Sequence, residues 1–236
     1  MDLVRPVPGV DTATFRPTAM RSTERAAVLR HLLVTQPFDH ALGGRIITYE
    51  EADLARLRTE ALCLRPVIVT VIGDRRHERL SLLVDAVSTA RRTLEPGAQP
   101  LLVVCDSPGI RTNDANRLLS LATASGIHDS VFLAGQVPLR EMPSLFAASD
   151  AYLSTARRTV TPVWEAMACA TPPVVLTDAD AEQVIVHGGY DANGWITDPN
   201  ADDLAAALVQ VCRHPAERLR RGTAAAARMR AHEAGS

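Results

Sequence analysis

The residues best suited to chemistry in this chain lie in one stretch, Ser144 to Thr177, which reads SLFAASDAYLSTARRTVTPVWEAMACATPPVVLT. A short apolar strand, Ala151 to Ser154, runs into an Arg-Thr loop, Arg157 to Thr161. A helix with Glu165 in its first turn is expected next, then a strand, Pro173 to Thr177. A loop that closes a strand and opens onto a helix N-terminus is where open α/β sheets bind phosphorylated ligands, because unpaired backbone N–H groups and the helix dipole meet there. Arg157 and Arg158 offer planar guanidinium forks suited to phosphate groups. They fit the description of ordinary exposed loop arginines equally well. Glu165 supplies a carboxylate that can accept from two neighbouring hydroxyls, although an acid in a first helical turn is also favoured by the dipole alone. Pro162 suits the start of that helix.

Other chemistries have little support. The four cysteines, Cys63, Cys105, Cys169 and Cys212, are tens of residues apart with no C-x-x-C or Cys/His cluster, so no zinc site is expected. Cys105 and Cys169 read as buried thiols. His77, His128 and His187 are scattered, and no catalytic triad is supported. The sequence holds no lysine, so no lysine can serve as phosphate ligand, Schiff base or general base. No metal and no cofactor are expected. The formal charge of -2 implies no nucleic-acid partner. The start, MDLVRPVPGV, lacks the pattern of a signal peptide, and no apolar run reaches the length of a membrane span. A reducing, cytoplasmic setting is the expectation.

The elements that must position these residues follow from periodicity. Residues 1–64 read as a Pro-rich extended segment followed by short helices, 22–33 (capped by Ser22 or Thr23) and roughly 50–62, with a turn at Gly43-Gly44. From Arg65 the pattern is regular. Val67 to Ile72 is a continuous β-branched run, as in a parallel strand buried on both faces. Helix 80–93, strand 101–105, helix 113–125, strand 131–134, helix 139–148 and strand 151–154 follow. After the Glu165 helix and its strand come a short helix 181–187, an edge strand 195–197, a helix 201–214 and a last helix from 216. This alternation predicts a Rossmann-like, doubly wound parallel sheet, with the sheet over roughly 65–214 and the whole domain taken as 65–236.

Several ordered pieces carry a family resemblance. They are VPGVDTATFRP (Val7 to Pro17), RPVIVTVIGD (Arg65 to Asp74), VFLAGQVPLREMPSLFAASDAYLS (Val131 to Ser154), EAMACATPPVVLTD (Glu165 to Asp178) and NGWITDPNADDLAAAL (Asn193 to Leu208). Together they resemble the C-terminal, nucleotide-sugar-binding half of a family 4 glycosyltransferase of the GT-B fold, in the sucrose-synthase and sucrose-phosphate-synthase superfamily. The resemblance implies transfer of a sugar, with retention, from a nucleotide diphosphate sugar to an acceptor hydroxyl. It makes residues 7–17 an inter-domain linker and Glu165 the holder of the ribose hydroxyls. It assigns the loop Arg157, Arg158, Thr159, Val160 and Thr161 to phosphates and sugar, and Gly135, Gln136 and Val137 to the base. Ser107-Pro108-Gly109 matches a family turn.

The same resemblance exposes departures. Eight residues before Glu165 the family carries an acid near the transferred sugar, and here Arg157 reverses the charge. The loop glycines are replaced, and Pro162 has no N–H. The diphosphate clamp of an Arg and a Lys falls at Gly73 and Glu78, within IGDRRHER. Arg75, Arg76 and Arg79 stand one to three residues away, either as a shifted clamp or as a solvated run. No residue is assigned as catalytic. Residues 1–64 are too short for the acceptor-binding half, which a separate chain is then expected to supply. A degenerate, non-catalytic binding module, a truncated reading frame and a receiver-like α/β domain are the alternative readings.

Overall fold

The computed structural model describes residues 10–35, 65–73, 79–106, 113–157, 161–177, 179 and 184–234. The helix expected at 50–62, the Gly43-Gly44 turn and the Ser107-Pro108-Gly109 turn lie outside these residues.

Six strands form one parallel sheet: β1 (Val67–Ile72), β2 (Leu101–Asp106), β3 (Val131–Gly135), β4 (Ala151–Leu153), β5 (Pro173–Leu176) and β6 (Trp195–Thr197). Their spatial order is β3-β2-β1-β4-β5-β6. The chain builds outward from β1 in one direction, then returns and builds the other way from β4. This is the doubly wound, Rossmann-like sheet the alternation predicts. β1 carries the longest register, Val67 opposite Leu101 through Ile72 opposite Asp106, and on its other side Ile68 faces Ala151.

Both faces of the sheet are covered, which explains the near-continuous apolar strands. Alternate residues divide cleanly. Val67, Val69, Val103, Phe132, Tyr152 and Val175 point to one layer. Ile68, Leu102, Val104, Leu133, Leu153 and Trp195 point to the other. The second layer is closed by α2 (Leu80–Thr93), α3 (Asn113–Ala124) and α6 (Ala201–Arg213). The first is closed by α4 (Met142–Ala147), α5 (Thr161–Ala168) and α7 (Pro215–Ala234).

The described part of the N-terminal segment joins the first layer. Val10, Phe15, Leu29, Leu32 and Leu33 are buried in it, and the Phe15 ring lies 6.4 Å from Phe146. Burial of side chains such as Leu29 and Leu32 contributes roughly 1.5–3 kcal/mol each. Helix α1 spans Ser22–Arg30 and then widens into a π-turn, His31–Thr35. Its cap is Arg21 rather than Ser22 or Thr23: Glu24, three residues on, accepts the Arg21 N–H at 2.8 Å and so sets the start one residue earlier.

Three other boundaries moved for identifiable reasons. The helix expected at 139–148 begins only at Met142. Pro143 lacks an N–H and is tolerated only in a first turn, so residues 138–141 form a turn instead, closed by Glu141 N–H on Pro138 O. The short helix expected at 181–187 is absent from its described end, 184–187. There the buried Asn193 carboxamide accepts Val186 N–H and donates to Val184 O, taking backbone groups that a helix would have used. Third, α5 starts at Thr161, so Glu165 is its fifth residue and lies beyond the first turn. Pro162 sets this early start.

Helix α5 ends with Ala170 at φ +63, a left-handed conformation that usually belongs to glycine. Its N–H bonds Met167 O, and Thr171 N–H bonds Ala166 O, which closes the end. Gly222 of α7 packs against this corner, where an added Cβ would meet Ala170 O at 2.1 Å. The close contact seats α7 against α5.

Candidate functional site

Those of the expected site residues that the structure describes fall on the edge of the sheet formed by the C-terminal ends of the strands. Strand order reverses between β1 and β4, and the loops leaving two such strands diverge to opposite faces and open a crevice. Gly73 follows β1, and Ser154 to Arg157 follow β4. Gly135 ends β3, with Gln136 and Val137 after it. At roughly 4.8 Å per strand this group lies about 10 Å from β1 along the edge. Gly135 has φ +66, a conformation that costs glycine little, and a tight turn follows, with Val137 N–H on Gly135 O at 3.1 Å. Val137 is buried. Arg75, Arg76, Glu78, Arg158, Thr159 and Val160 lie outside the described residues. Arg79 precedes α2. Thr161, the first residue of α5, is exposed.

Glu165 projects from α5, the helix that leaves the β4 crevice. It is half-buried, and its carboxylate has no hydrogen bond or ion pair among the described residues. Burial alone raises its pKa above the ordinary glutamate value. The dipole argument for an acid at this position fails, because Glu165 is the fifth residue of the helix and lies past its first turn. One turn on, Cys169 is buried, and burial first and the Glu165 charge second push its thiol up to about 12. It is an inert, protonated thiol. Burial also raises Cys105, so neither supplies a nucleophile.

Arg157 is exposed in the loop after β4, with no hydrogen bond or ion pair among the described residues. Beside it the sequence reading missed Thr155. This residue is only 1% exposed, and its hydroxyl has no partner among the described residues. A buried unpaired hydroxyl costs about 1–3 kcal/mol, and such groups concentrate where a ligand completes the bonding. No pattern in the sequence marks Thr155, since the lack of a partner is a property of its surroundings. Among the described residues no three His, Cys, Asp or Glu side chains gather as a metal would need, and no helix is long and apolar enough to cross a membrane.

A parallel doubly wound sheet with polar, incompletely bonded groups near the strand-order reversal is a Rossmann-like architecture, in which ligands bind at the carboxyl ends of the strands. The family description Glycosyl transferases group 1 matches residues 64–228, well over half of the chain. The chain belongs to this family. Solved structures agree in fold. Sucrose-phosphate synthase from Thermosynechococcus elongatus superposes with a TM-score of 0.68 at 18% identity, over 96% of this chain and 48% of that one. The C-terminal domain of a group 1 glycosyl transferase, LpcC, from Francisella tularensis superposes at 0.66 and 15% identity, over 94% of this chain and 97% of that one. Anabaena HepE in complex with UDP and glucose superposes at 0.61 and 20% identity, over 78% of this chain and 49% of that one. The chain therefore spans about half the length of the sucrose-phosphate synthase chain and nearly all of the isolated C-terminal domain, and it has the fold of a GT-B C-terminal half. Among curated proteins none matches it in sequence.

Proposed function

We propose that this chain is the donor-binding part of a retaining, family 4-like glycosyltransferase, which takes a nucleotide diphosphate sugar and passes the sugar to an acceptor hydroxyl. The observation that carries the reading is Glu165, a half-buried carboxylate with no partner among the described residues, on the helix leaving the reversal point of the sheet. A carboxylate desolvated without a partner is unfavourable by itself, and two vicinal ribose hydroxyls would supply the missing donors. Arg157 and Thr155 bring a cation and a hydroxyl to the same strand end, where phosphates would lie. Gly135 to Val137 would flank the base. In this reading the acceptor-binding half comes from a separate chain or segment, which agrees with the half-length match to sucrose-phosphate synthase. The nucleotide sugar is a substrate, and the reading calls for no cofactor.

Calorimetric titration with uridine, adenosine and guanosine diphosphates tests this. Binding of one of them, weakened tenfold or more in Glu165→Ala, is the expected result. If none binds, the donor-site reading is wrong.

A second reading has one observation of its own. Arg157 places a positive charge where the resemblance implies an acid beside the transferred sugar. A degenerate module that binds the nucleotide without turning it over would show the same titration, but no release of free nucleotide from any nucleotide sugar in the presence of acceptor.

A further inference from the structure

A cavity of about 310 Å³ lies at the outer edge of the sheet, between β6 and the first half of α6, within the lower range of small-molecule sites. It is two strand spacings from β4, roughly 10 Å. Its floor is apolar, made by Trp195 and small side chains of α6. The polar groups around it are each fixed by one bond and carry spare capacity. His187 Nδ1 accepts the Ile196 N–H at 2.9 Å, so the neutral ring carries its proton on Nε2 and can donate. Gln210 Oε1 accepts from the Trp195 indole at 3.1 Å, which leaves its amide N–H groups. Asp198 accepts Thr177 Oγ1 through one oxygen, and Asp203 accepts the Asn200 amide through one oxygen. Thr197 lines the same cavity, is 8% exposed, and has no partner for its hydroxyl among the described residues.

We propose that this groove binds a neutral polyhydroxyl ligand, a saccharide, whose hydroxyls complete the bonding of Thr197, His187 and Gln210 while donating to Asp198 and Asp203. The donor and acceptor sets select this class. Among the described residues the charged side chains that line the groove are the carboxylates of Asp198 and Asp203, which disfavour phosphates and other anions. A cation would use the carboxylates but leave the His187 and Gln210 donors and the buried Thr197 hydroxyl opposed to it. A ligand that both donates and accepts at closely spaced atoms answers the polar groups described here, above a Trp195 ring that is 1% exposed and stacked with the Arg221 guanidinium at 4.3 Å. The proposal does not depend on the nucleotide site.

The test is nuclear magnetic resonance of the full chain, following the His187 ring and Trp195 indole signals during titration with maltose and sucrose. Saturable shifts in the millimolar range are expected. Thr197→Val should weaken them about tenfold or more, since a site built around a hydroxyl discriminates strongly, while Thr197→Ser should keep them. Thr197→Val is expected to fold, because removing an unpartnered buried hydroxyl by an isosteric methyl is close to neutral. Glu165→Ala should bind saccharide unchanged, which separates this result from failure of the nucleotide reading. No saturable shift with either sugar, identical affinity in Thr197→Val, or a response to magnesium or spermidine alone overturns the proposal.

Discussion

The two edges of the sheet are built from the same residue types and treat them oppositely. At the N-terminal ends of the strands the described carboxylates are paired, although the buried Arg25 Nε has no partner among the described residues. Asp150, just before β4, is 10% exposed and receives the Arg25 guanidinium from α1, Arg218 Nη2 from α7 at 2.9 Å and the Val67 N–H at 2.7 Å. Beside it, Arg91 grips Asp129 with two bonds, at 2.7 and 3.2 Å, and Arg65 binds Ser130 Oγ and Gln99 O. The Arg91 bonds, with neighbouring positive charges, hold the Asp129 carboxyl below its usual range even though burial opposes them. At the C-terminal ends, Glu165, Thr155 and Thr197 lack partners among the described residues. One edge spends its polar groups on joining the N-terminal segment, the sheet and the last helix. The other leaves several of them unpaired among the described residues. Strands of a parallel sheet all point the same way, so all the functional loops emerge at one edge and the structural ties collect at the other.

This contrast breaks first at Asp150. Asp150→Ala should leave two guanidinium groups and a backbone N–H without their shared acceptor and cost about 3–5 kcal/mol, read as a lower urea midpoint with an unchanged slope. A small loss there would mean that the N-terminal edge is not the tie described.

Glu165→Gln should behave in the opposite sense. Its folded-state pKa is raised by burial, so its stabilising protonated form is fully present below about pH 4.5 and is lost as pH rises through the raised value. At pH 7 the charged carboxylate is a net cost. The variant should therefore be more stable than the parent by up to about 1 kcal/mol at pH 7. The gain should vanish near pH 4 in thermal melts at both values. A loss of stability at pH 7 would show that the carboxylate has a structural partner.

Thr155→Val should be neutral or stabilising by about 0.5 kcal/mol without ligand, since it removes a buried hydroxyl with no partner among the described residues. Chemical unfolding measures this, and a loss above about 1 kcal/mol would put Thr155 on the structural side of the comparison.

The smallest effect belongs to Glu217 on α7, a partly exposed carboxylate. Its pKa falls to about 2, first through the hydrogen bond from Arg220, then through that from Arg221, with burial opposing. Its contribution is present above the ordinary glutamate value and lost as pH falls through about 2. Glu217→Gln should cost less than about 1 kcal/mol at pH 7, because water screens the pair, and nothing at pH 2. The pH slopes of Glu165 and Glu217 thus carry opposite signs, which a pair of melts at pH 7 and pH 3 checks.

Much of this was legible in the chain itself. The run VIVTVI announces a strand buried on both faces, and the alternation of such runs with helices implies a parallel sheet wound in two directions. Gly126 ends α3 as expected, at φ +68. Asn200 caps α6 through the Asp203 N–H at 2.9 Å. Where local reading failed, a single competing group decided. Pro143 delayed α4, and the Asn193 side chain displaced the expected helix at 184–187. The Glu165 position was legible from its flanking pattern, whereas Thr155 and the Thr197 groove were not.

Strand and helix identities, the parallel layering and the stretch that bears Glu165 were determined by sequence alone, because propensity, apolar period and proline stereochemistry act between near neighbours. Tertiary structure decided which polar groups are satisfied. Arg25 meets Asp150 across 125 residues of chain, Gly222 meets Ala170 across the α5–α7 contact, and Glu165 meets no partner among the described residues. A hydrogen bond depends on distance in space, and no periodicity along a chain records which distant atom arrives, or fails to arrive, at a given side chain.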